Sequence, residues 1–90
     1  MMYSFQTLEN ETEINHSELL PSGRVKVYIE TPDAVDCFHH LTVWLPAFEI
    51  EEVYRYAEAE VERYLQIVQN NEHAIMHAAE VGAIELASER

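Results

Sequence analysis

Cysteine, glycine, proline and basic residues are all scarce in this chain of 90 residues, and each shortage excludes something. Cys37 is the only cysteine, so no internal disulfide can staple the fold. A lone thiol, 48% apolar residues and an opening Met1-Met2-Tyr3-Ser4-Phe5-Gln6 without a basic segment and apolar run lead to the expectation of a reducing, cytoplasmic setting. No stretch approaches the roughly 20 apolar residues of a membrane span, so no membrane association is expected. The five basic residues, Arg24, Lys26, Arg55, Arg63 and Arg90, are too few and too scattered to neutralise a phosphate backbone. This argues against direct nucleic-acid binding. No linker, internal repeat or low-complexity run divides the chain. A single domain over residues 1–90 is therefore expected, with residues 1–10 and 83–90 as candidate loose termini.

What abounds is acid. Seventeen Asp and Glu against five Lys and Arg leave a formal net charge of −12. Such a charge favours solubility and steers a protein toward basic partners. A chain of this size buries only about 60–65% of its unfolded surface, and without a disulfide a second subunit is a common source of the missing stability. A homodimer is the expected state.

The few glycines and prolines fall where turns belong. Leu20-Pro21-Ser22-Gly23 and Thr31-Pro32-Asp33-Ala34-Val35-Asp36 read as turns, and Pro46 as a third break. Residues 24–30 alternate, with Val25, Val27 and Ile29 on one face and Arg24, Lys26, Tyr28 and Glu30 on the other. Residues 37–45 place Leu41, Val43 and Leu45 on one face and Phe38, His40, Thr42 and Trp44 on the other, the pattern of a strand covered on both sides. The two strands form an antiparallel hairpin. Residues 13–20 supply a third strand, while residues 2–8 fit either a strand or a loose terminus.

From Glu49 onward neither Gly nor Pro occurs until Gly82, and Ile50, Val53, Ala57, Val61, Tyr64, Leu65 and Val68 recur at intervals of three and four. That spacing predicts a helix beginning at Glu49. Asn70-Asn71 interrupts the apolar stripe, so either one long helix continues or a second helix follows over residues 72–81, with Gly82 as its stop. The expected fold is thus α+β: a small antiparallel sheet of about three strands followed by a long C-terminal helix, with a break into two helices near Asn70-Asn71 as the alternative.

Catalytic signatures are missing: no phosphate-cradling glycine loop, Gly-x-Ser-x-Gly elbow, His-Glu-x-x-His or cysteine pair is present. His73 and His77 lie one helical turn apart with Glu80 three residues on, a spacing able to hold a metal, but a solvated helix face is the plainer reading. His39-His40 on a strand point to opposite sides. Cys37 and His39 share a strand face, as a thiolate and its base would, yet no third group orients them. No enzymatic activity and no cofactor are expected.

Two features remain. The outer hairpin face gathers Tyr28, Phe38, His40 and Trp44, and needs a cover: either the segment carrying Ile75, Met76 and Ala79, or a second subunit. An acidic helix face carries Glu51, Glu58 and Glu62. Together they point to a small non-enzymatic interaction or regulatory protein, a homodimer whose acidic helix face meets a basic protein partner. The alternatives are an inhibitor that imitates nucleic-acid phosphates or an antitoxin-like regulator, a metal-binding domain through His73 and His77, and a small enzyme with its site at a dimer interface.

Overall fold

The alternation of Val25, Val27 and Ile29 builds the central strand of an antiparallel sheet. The computed structural model describes residues 2–35 and 37–88, with side chains through residue 82. Its strands are β1 (Met2–Thr7), β2 (Glu13–Ser17), β3 (Val25–Asp33), β4 (Cys37–Leu45) and β5 (Glu49–Tyr54), followed by helices α1 (Glu58–Asn70) and α2 (Glu72–Ser88). The strands lie side by side in chain order. Local turn chemistry explains this meander: Gly23 takes φ 82° and its N–H closes on the Leu20 carbonyl at 2.8 Å, and the Asp33 carboxylate accepts the Val35 N–H at 2.8 Å. Pro32 sits inside β3, opposite Phe38 of β4. It lies beyond the last β2 pairing, Glu13 with Glu30, so β3 has a free flank there and a missing N–H is tolerated.

One face of the sheet is the core. Ile14 of β2, Val25, Val27 and Ile29 of β3, and Leu41, Val43 and Leu45 of β4 are fully buried against Tyr64 and Val68 of α1 and Ile75 and Ala79 of α2. Each such aliphatic side chain contributes about 1.5–3 kcal/mol by leaving water. Beneath this layer runs a chain of buried hydroxyls. Asn10 Nδ2 donates to Tyr64 Oη at 3.0 Å, which lies 3.2 Å from Thr12 Oγ1. Thr12 continues to Thr31 at 2.6 Å and Thr31 to Tyr56 at 2.7 Å. Burial pushes the Tyr56 hydroxyl up to about 12. Burial also raises Tyr64, but the hydrogen bonds from Thr12, Thr31 and Asn10 outweigh it and hold that hydroxyl below its ordinary value.

The expected sheet of about three strands and the expected long helix are both corrected. Residues 2–7 pair with β2, and residues 49–54, read as the first turns of the helix, form β5. The reason is a bulge. Thr42 pairs with Glu52 but Val43 pairs with Ile50, leaving Glu51 extra. In a regular strand, residues three apart face opposite ways; one inserted residue restores Ile50 and Val53 to the same face. The three-residue spacing in the sequence is therefore that of a bulged strand. Strand β4 has a second hydrogen-bonding edge to satisfy, and β5 satisfies it.

Helix α1 begins nine residues later than expected, after Glu60 reaches back to accept the Ala57 N–H at 2.9 Å. The break at Asn71 does occur: its backbone leaves helical geometry at φ −114° while its side-chain amide donates to the Ile67 carbonyl at 2.8 Å. The second helix runs through Gly82 instead of stopping there. A Cβ at Gly82 would lie 3.2 Å from Tyr3 Cε2, so glycine serves close packing on β1. No helix among the described residues is long and apolar enough to cross a membrane.

Candidate functional site

Two surfaces stand out, one on each side of the sheet. On the side turned away from the helices, the register sets Glu30 of β3 beside His40 of β4 and His40 beside Tyr54 of β5. The Tyr28 and His40 rings stack at 5.8 Å and 28°, and the His40 and Tyr54 rings at 5.0 Å and 16°, giving a row of three across three strands. Such cross-strand ring pairs each add about 0.2–1 kcal/mol to a sheet. The His40 Nδ1 lies 3.1 Å from a Glu52 carboxylate oxygen. Burial, then the hydrogen bond and charge of Glu30, push the Tyr28 hydroxyl up.

Further along the same face, Trp44 lies under the Arg24 guanidinium at 4.3 Å, with Lys26 at 5.8 Å. The Trp44 indole donates to Glu51 at 3.3 Å, and Lys26 and Arg24 pair loosely with Glu51 and Glu49 at 3.7 and 3.8 Å. These exposed pairs hold geometry more than they add stability.

On the helix side, β5 overhangs. Ile50 and Val53 face the same way as the core residues Val43 and Leu41 with which they pair, yet each remains 43% exposed. The turn before β5 brings Phe48 to an open groove of about 570 Å³, also lined by Leu65, Glu62, Gln66 and Gln69 of α1. Glu58 and Glu62, one helical turn apart, are exposed on α1.

Tyr28, His40 and Trp44 thus share the outer face as expected, with Phe38 exposed at its far end opposite Pro32. The segment with Ile75 and Ala79 does not cover that face; it packs on the opposite one. Glu51 is separated from Glu58 and Glu62, since it belongs to β5 and not to a helix. Arg55, which follows β5, lies over the Tyr54 ring at 5.3 Å. The spacing alone does not place Tyr54, Glu52, Ile50 and Val53 on these two faces, because that requires the parity change at the bulge, and Phe48 meets α1 only through the turn that precedes β5.

The remaining candidates are spread out. Cys37 is exposed at the start of β4, while His39 turns toward Asp33 at 3.4 Å and packs nearly perpendicular to the Tyr56 ring, their centroids 5.7 Å apart. His73 and His77 are exposed on α2. Among the described residues no group of three or more His, Cys, Asp or Glu side chains converges on a point that could hold a metal ion. Comparisons with protein families, with curated proteins and with solved structures give no match to this chain.

Proposed function

We propose that the chain is a non-enzymatic interaction domain that receives an amphipathic, basic segment of another protein along the exposed apolar residues of β5 and the groove where Phe48, in the turn before β5, faces α1. The supporting observation is apolar surface left open beside carboxylates. Ile50 and Val53 are exposed on β5, Phe48 and Leu65 line the groove, and Glu58 and Glu62 stand exposed on α1. Grouped apolar side chains on a surface mark contact sites. An apolar strip with an acidic border fits a helix that carries Lys or Arg beside its Leu and Phe. Charge favours this occupant over a second copy, because two copies would each bring −12 to the contact whereas a basic segment is attracted.

The test uses a synthetic amphipathic Leu/Lys peptide and a scrambled peptide of the same composition, titrated calorimetrically at about 0.05 M and about 0.5 M salt. Binding of the amphipathic order alone, weakened by salt and lost in the Ile50→Ser/Val53→Ser variant, is the expected result. Affinity unmoved by that variant overturns the assignment. So does light scattering that finds a dimer which the same variant dissolves, since the groove would then belong to a second copy.

A further inference from the structure

A row of stacked rings has only two open faces, those at its ends. In the row of Tyr28, His40 and Tyr54, the Tyr28 end borders β2, where Asn15 pairs with Tyr28. The Tyr54 end borders solvent, because β5 is the edge strand. The chain's own Arg55 lies over that end ring, 5.3 Å from its centroid. It reaches there from a left-handed backbone, φ 70°, which a residue other than glycine keeps only where its surroundings hold it.

We propose that the Tyr54 end of this ring row is a binding site for an arginine side chain of a basic protein, occupied by Arg55 in the free chain and yielded to the incoming guanidinium. The ring face attracts a cation through its quadrupole. Glu52, on the same strand and face and 59% exposed, offers a carboxylate to the planar fork of a guanidinium. The same sheet face already holds a second guanidinium over a ring, Arg24 over Trp44 at 4.3 Å. A lysine supplies the charge without the planar stacking. A nucleic-acid strand could stack on the ring, but its phosphates would meet Glu30, Glu51 and Glu52. The site lies across the sheet from the groove and does not depend on it.

Hexa-arginine, hexa-lysine and hexa-citrulline peptides and a thymidine oligonucleotide are titrated into the protein, with the ring signals of Tyr54 and His40 followed by NMR. Saturable shifts with hexa-arginine, about threefold weaker binding of hexa-lysine and none of hexa-citrulline are expected. Tyr54→Ala lowers hexa-arginine affinity about three- to tenfold. Arg55→Gln raises it by removing the internal competitor, and does so more than Arg24→Gln, which changes the net charge equally. The Ile50→Ser/Val53→Ser variant keeps the site, so the groove and the ring row stand or fall separately. Ring signals that do not move, equal effects of the two arginine substitutions, or the oligonucleotide shifting the same rings would each overturn the proposal.

Discussion

Substituting Thr12 and Tyr64, singly and together, tests whether the buried hydroxyl chain acts as one unit. Thr12 is fully buried, and its hydroxyl lies between Thr31 at 2.6 Å and Tyr64 at 3.2 Å. In Thr12→Val the shape is kept, but the Tyr64 hydroxyl loses its buried hydrogen bond to Thr12 and keeps the one from the Asn10 amide at the surface. A buried hydroxyl left without its partner costs about 1–3 kcal/mol. In Tyr64→Phe the loss is smaller, about 0.5–1.5 kcal/mol, because Thr12 keeps Thr31 and the exposed Asn10 amide turns to water. The double variant removes both ends of one bond, so neither end is left facing a missing partner and its cost falls below the sum by about 1 kcal/mol. Urea unfolding followed by the fluorescence of the single tryptophan, Trp44, measures all four corners. Each kcal/mol also moves the melting midpoint by roughly 4–8 °C in a domain of this size. Additivity within about 0.4 kcal/mol would refute the shared network.

Tyr56 makes stability fall at high pH. Its hydroxyl is held at about 12 in the fold against about 10 unfolded, so the folded state keeps a proton that the unfolded state has lost. That contribution, at most on the order of 2–3 kcal/mol, is intact below about pH 10 and disappears by about pH 12. Denaturant midpoints for Tyr56→Phe should show a shallower decline over this range than the parent. Gly82→Ala should destabilise by about 1 kcal/mol: the helix gains about 1 kcal/mol from alanine, but the new methyl meets a Tyr3 ring stacked on His16 at 5.6 Å, and overpacking costs about 1–3 kcal/mol. In a Tyr3→Ala background the sign should reverse, which thermal melts of the pair can check. The Ile50→Ser/Val53→Ser variant should change stability by less than about 1 kcal/mol, since both side chains are already 43% exposed. A larger loss in urea unfolding would mean that they belong to the core.

The parts of this protein that could be read along the chain are those whose cause lies within a few residues. Val25, Val27 and Ile29 alternate because strand side chains do, Gly23 marks a turn because it takes positive φ freely, and Asn71 ends α1 where its amide caps the Ile67 carbonyl. The outer grouping of Tyr28, His40 and Trp44 followed from the same alternation. What escaped has its cause far away in sequence. Ile50 and Val53 sit at a spacing that serves a helix or a bulged strand equally, and the free edge of β4 settles which. Gly82 looks like a stop until Tyr3, from the other end of the chain, lies against it. Thr12 and Tyr64 are 52 residues apart, and Tyr54 joins the ring row only through its register with His40. Side-chain period and turn chemistry are local steric facts, whereas hydrogen-bonding edges, close approaches and stacked rows exist only once distant segments have been brought together.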